Sequence, residues 1–264
     1  MAHSSRFVAI SAPLLLLAVL IGVWALAAGV GGTSSLFFPS PSNFVSRAVA
    51  LAGESWFWNR VGITLAEAVT GSIAGALVAV PVSWLIYRSS IINAALQPFL
   101  GATQAIPAIA LAPLLVLWVG RGFGAIVLLC ALMVFFPILV STTVGLRHLD
   151  QDILDAASLD GASGWRMIWS IELPLVMPSM LAGVRNGFTL SITGAVIGEM
   201  VMGGTGLGSL LSQQQHNLDT AGMFVTVAVL CLLAMSLYSV VYAFERSGKR
   251  AVQQRRHTWI RSSR

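Results

Sequence analysis

Charge is what this chain has least of. Only 9% of its 264 residues are charged, where a soluble domain carries roughly 25%. A separate water-soluble domain is therefore excluded. The single lysine, Lys249, lies in Ser247-Gly248-Lys249-Arg250 and lacks the upstream glycine that a phosphate-cradling loop requires. The chain is thus not a P-loop nucleotide hydrolase in its own right. Cys130 and Cys231 each sit alone in an apolar segment, which excludes a disulfide framework and reads as small buried hydrophobes. His3, His148, His216 and His257 all fall in expected loops or tails, and no spacing of His, Cys and carboxylate suggests a metal ligand set. Gly161-Ala162-Ser163-Gly164 matches a GxSG serine motif. Ser163 is flanked by acids in a polar stretch, however, with no histidine on a neighbouring span to activate it.

What fills the chain is apolar: 56% hydrophobic residues and a mean hydropathy of +0.84. At roughly 20 residues per crossing, the pattern predicts six spans, near 7–29, 62–86, 98–119, 123–145, 175–200 and 221–244. The first is expected to remain as an uncleaved helix, because its apolar run is longer than the about 7–15 residues of a signal segment. Placing both termini inside puts eleven basic residues on the inner side and leaves Arg47, Arg60 and Arg121 outside, as the positive-inside rule requires. Arg246, Lys249, Arg250, Arg255, Arg256, Arg261 and Arg264 make a basic tail, 245–264. A basic cluster just past a span faces anionic lipid at the cytoplasmic surface, which argues against nucleic acid as the partner.

The outer connection 31–60 holds Leu36-Phe37-Phe38-Pro39-Ser40-Pro41 and Trp56-Phe57-Trp58. Proline stops a helix after the first aromatics, and the Trp-Phe-Trp cluster suits the headgroup level. An external platform is the alternative reading. In the second span Gly71, Gly75 and Ala79 recur every four residues, a spacing that lets two membrane helices approach closely. Pro81, Pro98, Pro107 and Pro113 mark the second and third spans. Such residues break helices that line a pathway or simply kink packed ones.

The polar exception is 150–174, DQDILDAASLDGASGWRMIWSIELP, which holds five of the ten acids: Asp150, Asp152, Asp155, Asp160 and Glu172. Ile153, Ala156 and Ala157 fall on one helix face by the i, i+3, i+4 rule. Gly161 permits a sharp break, after which Trp165, Ile168 and Trp169 are expected to pack back under the bundle. Asp155-Ala156-Ala157, then Gly161 four residues on, then Ile171, Leu173 and Pro174 resembles the EAA loop of ABC-importer permeases, with Asp155 where that family usually has Glu. LFFPSPSNFVSRA, IPAIALAPLLVLWVGRGFG, FFPILVSTTVGL, LPLVMPSMLAGVRNG, Glu199 in GEM and Gly206-Leu207-Gly208 extend the likeness over about 36–245. They are similar to the nitrate/sulfonate/taurine branch of binding-protein-dependent permeases. Glu67 departs from it, standing where that branch more often has a basic residue.

The resemblance implies an all-α membrane protein of the type I ABC-importer permease fold, with one transmembrane domain over 1–264 in a bacterial plasma (inner) membrane. It implies a non-catalytic subunit paired with a second permease copy, two ABC ATPase subunits carrying ATP and Mg, and an external solute-binding protein. The solute is then small and polar, and anionic in this branch. By the same resemblance Asp155, Ala156, Ala157, Asp160, Gly161 and Trp165 contact the ATPase.

An ionisable residue within the bilayer costs at least about 2.5 kcal/mol unless paired, so each marks a candidate site. Arg185 in the fifth span reads either as a pathway residue for an anion or as a structural arginine. Glu199 and Glu67, near outer ends of their spans, either shape an outer gate or face headgroups. Gln104 is a neutral pathway candidate. A transporter driven by an ion gradient would instead show charged relays at the midplane and an internal repeat, and neither is found.

Overall fold

The computed structural model describes residues 19, 22–24, 26, 38–102 and 108–262. Most of the first expected span, together with Arg6 and Gln104, lies outside them. The described residues form α1 (Pro41–Ala52), α2 (Ser55–Arg88), α3 (Ser90–Ala102), α4 (Ala108–Val119), α5 (Phe123–Arg147), α6 (Gln151–Leu159), α7 (Gly164–Met167), a π-helical turn (Ile168–Glu172), α8 (Leu173–Met202), α9 (Leu207–His216) and α10 (Thr220–Ser262). Among the described residues, four stretches are long and apolar enough to cross a membrane: Ser55–Arg88, Phe123–Arg147, Gly164–Met202 and Thr220–Ala243. Within the third expected span, 98–119, the described residues belong to α3, which starts earlier, at Ser90, and to α4, from Ala108, while 103–107 lie outside the described residues.

The chain divides into two compact units, residues 1–60 with 210–229 and residues 61–209 with 230–264. In the first, Ser40 caps α1 by accepting from the Asn43 N–H at 3.3 Å, with Pro41 in the first turn. There its missing N–H costs nothing. Pro41 thus starts a helix, and the run before Phe38 lies outside the described residues. Trp24 donates its indole N–H to the Pro39 carbonyl at 3.0 Å and packs on Phe44 and Phe224, while Arg47 pairs with Asp219. Trp56-Phe57-Trp58 opens α2, seven residues before the expected start of the span. Phe57 is buried and its two neighbours are exposed, an arrangement that suits the headgroup level.

In the second unit α5 and α8 run antiparallel along a seam of small residues. On α8, Gly183, Gly187, Gly194 and Gly198 meet Ile138, Val134, Cys130 and Ile126 of α5 in reversed order. Without a hydrophobic drive between helices in lipid, such close approach supplies the packing energy. The Gly71/Gly75/Ala79 face of α2 meets the opposite partner as the spacing predicts. Gly71 lies against Val127, Cys130 and Ala131, and Gly75 against Ala131 and Val134. Pro81, Pro137 and Pro178 sit inside helices, tolerated where neighbouring groups re-satisfy the backbone.

Candidate functional site: a polar loop and its anchors

The five acids of the loop separate by role once their contacts are known. Asp150 caps α6, accepting from the Asp152 N–H at 3.0 Å, and Asp152 stands in the first turn. Both favour the positive end of the helix. Glu172, 1% exposed, is an anchor: it accepts from the Trp84 indole at 2.9 Å and from Arg88 at 2.6 Å. Asp155 and Asp160 remain, both exposed. Asp160 closes the carboxyl end of α6, where negative charge is unfavourable, so local helix energetics do not account for it.

The loop is seated by Leu154 and Met167, which join Trp84, Leu146, Leu149 and Val176 in one buried cluster, with Ala157, Ala162, Ile168 and Ile171 packed around it. Here the structure corrects the sequence reading. The buried stripe of α6 is Leu154 with Ala157, one residue out of phase with the expected Ile153, Ala156 and Ala157; Ile153 and Ala156 are exposed. Trp165 and Trp169 do not pack under the bundle. They are 72% and 55% exposed and lie edge to face at 5.7 Å. Leu159 is 88% exposed. Gly161 makes the expected break with φ +82°, and nothing lies within 4 Å of where its Cβ would be. The result is an outward surface of Ile153, Asp155, Ala156, Leu159, Asp160 and Trp165 on a seat fixed from below.

That seat carries a testable consequence. Arg88→Ala would leave the Glu172 carboxylate buried with the indole as its remaining donor. Removing one partner of a buried pair costs roughly 3 kcal/mol, so the melting temperature is expected to fall by about 6–12 °C. Glu172→Gln with Arg88→Ala should recover most of the loss, because the amide needs no counter-charge. Equal melting of Arg88→Ala and wild type would contradict the anchor.

The two spans' carboxylates come together, which spacing alone did not show. Glu67 and Glu199 are 2% and 1% exposed, so neither faces headgroups in this chain. Glu199 accepts from the Thr64 hydroxyl at 2.6 Å, the Gly208 N–H at 2.7 Å and the Ser209 N–H at 3.3 Å. Thr64 accepts in turn from the Leu207 N–H at 2.8 Å. The otherwise orphaned first N–H groups of α9 are thus capped by a carboxylate from α8 and a hydroxyl from α2. Glu67 lies beside Glu199, and its Oε2 is buried without a hydrogen-bond partner among the described residues.

Arg185 is held elsewhere. Its guanidinium lies 5.1 Å from the ring centre of Tyr238 and 5.8 Å from that of Tyr242, so it is stacked on α10 and half-buried. Sequence reasoning missed this pairing and the Arg88–Glu172–Trp84 anchor. The available signal for the anchor was an acid at the membrane end of the polar loop opposite the lone arginine closing the second span.

Comparison with known proteins identifies the family. A family model described as binding-protein-dependent transport system inner membrane component matches residues 71–250. The chain is 34% identical over 238 residues to the riboflavin transport system permease protein RibX of Chloroflexus aurantiacus, covering 90% of this chain and 88% of that one. It is 28% identical to the taurine transport system permease protein TauC of Escherichia coli, covering 92% and 87%. Among solved structures, an inward-facing MetNI methionine ABC transporter chain superposes with a TM-score of 0.65 at 19% identity, over 73% of this chain and 95% of that one. The fold is that of type I ABC-importer permeases. With its match over 71–250 and its 34% identity to a permease across nine-tenths of its length, the chain belongs to the binding-protein-dependent transport system inner membrane components and is a permease subunit of an ABC importer.

Proposed function

We propose that the chain forms the solute pathway of this importer with a second copy of itself, driven by two ATPase subunits that dock on the 150–174 loop. ATP and Mg are bound by those subunits. An external binding protein delivers a small polar solute, and ATP-driven closure supplies the differential energy that alternating access needs. The loop and both termini face the cytoplasm. The observation that carries the reading is the exposed apolar and acidic surface of Leu159, Asp160 and Trp165, buttressed by a buried cluster and an ion pair. Exposed aromatics beside charge on a rigid support are the makings of an interface hot spot.

The solute class follows the relatives. Taurine and aliphatic sulfonates, named for TauC and for the SsuC permease of Escherichia coli, favour an anionic group. A neutral heterocycle is the second reading. It is favoured by the likeness to RibX and to the formylaminopyrimidine permease ThiX of Halalkalibacterium halodurans. Stacking of Arg185 on two tyrosines also removes it as the obvious cation for an anion in transit.

The test is purification of the tagged chain with its native neighbours in mild detergent, followed by ligand screening of the captured binding protein with taurine, an alkyl sulfonate and a flavin. A P-loop ATPase in equal amount is the expected result. Uptake by the chain alone under a proton or sodium gradient would overturn it. Gly161→Asp sharpens the test. Left-handed backbone costs an L residue roughly 1–2 kcal/mol, least for Asp and Asn, so the protein should still reach the membrane. A second carboxylate beside Asp160 should abolish ATPase retention and uptake. Trp165→Ala should weaken docking by about 2 kcal/mol or more, roughly 30-fold, with unchanged melting. ATPase retention and uptake at wild-type levels in Gly161→Asp would rule out docking at this loop.

A further inference from the structure

Neither solute transport nor ATPase docking explains why two acids meet inside the helix bundle. The donors around the pair all lie on one side. Glu199 takes the Thr64 hydroxyl and the N–H groups of Gly208 and Ser209, and such bonds favour the ionised form of a carboxyl group. Glu67 lies beside it, buried, and its Oε2 has no hydrogen-bond partner among the described residues. Two ionised carboxylates would face each other there as acceptor against acceptor, away from water. Charge in that setting must be matched or neutralised.

The surrounding helices supply no match among the described residues. Glu199 is the charge that acts on Glu67 directly. α9 carries no charged residue before His216 at its far end. α5 brings Cys130 near both acids, and its thiol donates to the Ser191 carbonyl at 3.4 Å. On α8, Arg185 precedes Glu199 by fourteen residues, roughly 21 Å along the helix, and stacks on Tyr238 and Tyr242. On α2, Arg60 precedes Glu67 by seven residues, roughly 10 Å back, and stacks on Trp56.

We infer that Glu67 and Glu199 form a one-proton site, in which Glu67 is the neutral acid and Glu199 the carboxylate. A hydrogen on Glu67 turns the meeting of two acceptors into a charge-assisted bond from a hydroxyl to a carboxylate, the stronger class of hydrogen bond. The one negative charge that remains is the charge its three donors already satisfy. The proton thus ties α2 to α8 at the point where Glu199 also holds the start of α9. Its loss would set two like charges against each other in a site so tight that a Cβ on Gly206 would overlap both Glu199 oxygens. A proton suits the site better than a metal ion. Oε1 of Glu199 is engaged by Thr64 and Oε2 by Gly208 and Ser209, and among the described residues no three His, Cys, Asp or Glu side chains gather as ligands. The inference does not depend on which solute is carried or on where the ATPase docks.

The test uses the intact transporter complex in dodecyl maltoside, a detergent without carbonyl groups. Infrared spectra at neutral pH read the carbonyl stretch of a neutral carboxylic acid. The difference between wild type and Glu67→Gln is expected to show one such band, shifted in heavy water. The amide of Glu67→Gln can donate to Glu199 as the acid does, so this variant should melt within about 2 °C of wild type. Glu67→Ala removes the donor and should melt lower by about 4 °C or more. The band lost by wild type between neutral and alkaline pH serves if Glu67→Gln does not assemble. A missing band in wild type would overturn the site, as would a band that persists in Glu67→Gln. Equal melting of Glu67→Gln and Glu67→Ala would also overturn it, because Glu67 would then donate nothing. Wild type that melts higher in sodium or potassium chloride than in choline chloride, where Glu67→Gln does not, would assign the site to a metal cation instead.

Discussion

Glu199→Ala is expected to lower the melting temperature of the purified protein by about 10 °C. Three donors converge on this carboxylate: the Thr64 hydroxyl and the N–H groups of Gly208 and Ser209. All lie in a buried or partly buried setting. Each donor left unsatisfied costs about 1–3 kcal/mol, so the combined loss is about 3–5 kcal/mol, and each kcal/mol moves melting by about 2–4 °C in a chain of this size. Glu199→Gln keeps one acceptor oxygen and should fall between. Gly206→Ala should act in the same direction without touching the acid, because a Cβ there would collide with both Glu199 carboxylate oxygens and the Thr64 hydroxyl. Uptake should fall along with stability, since the clamp fixes the start of α9. Melting of Glu199→Ala within about 2 °C of wild type would mean that α9 is held by something else.

The second large effect is steric. Gly71→Leu should remove nearly all folded protein from the membrane fraction, and even Gly71→Ala should be strongly destabilised. A Cβ at that position would overlap the Cys130 Cβ and lie 2.8 Å from the Val127 carbonyl oxygen. The obstacle is therefore partly backbone, which cannot rotate away. Overpacking costs about 1–3 kcal/mol where side chains can adjust, and more here. Gly75→Ala, with the Ala131 carbonyl 2.6 Å from the added carbon, should behave alike. Gly62 on the same helix is the control, with nothing within 4 Å. Gly62→Ala should be neutral or stabilising, by up to about 1 kcal/mol. Membrane abundance and melting of the three alanine variants decide the matter, and equal values for Gly71→Ala and Gly62→Ala would refute the close approach.

Much of this architecture was legible before any coordinates. Small residues four apart on α2 announced a helix–helix contact, since nothing else in a lipid-facing segment rewards them. Gly161 announced a break, and 150–174 stood out because charge is so scarce elsewhere. What was illegible was rotation and pairing. Ile153 and Leu154 are equally apolar neighbours, so composition cannot say which one turns inward; the cluster of Trp84, Leu146 and Val176 decides it. Trp165 and Trp169 look like core residues on hydrophobicity alone, yet both are exposed. The meeting of Glu67 and Glu199 joins residues 132 apart, and nothing local in either segment encodes it.

The π turn at Ile168–Glu172 has a further consequence. Such a turn accommodates one residue more than an α-helix of the same rise, so it sets the angular phase between the exposed loop surface and the long helix above it. Adding or deleting a single residue there would swing the azimuth of Leu159, Asp160 and Trp165 by about 100° without altering any of them. On the docking proposed above, a lineage could refit this loop to a differently shaped partner by one insertion or deletion. Glu172, at the upper edge of the turn and bonded to Trp84 and Arg88, marks the fixed point about which that rotation would occur.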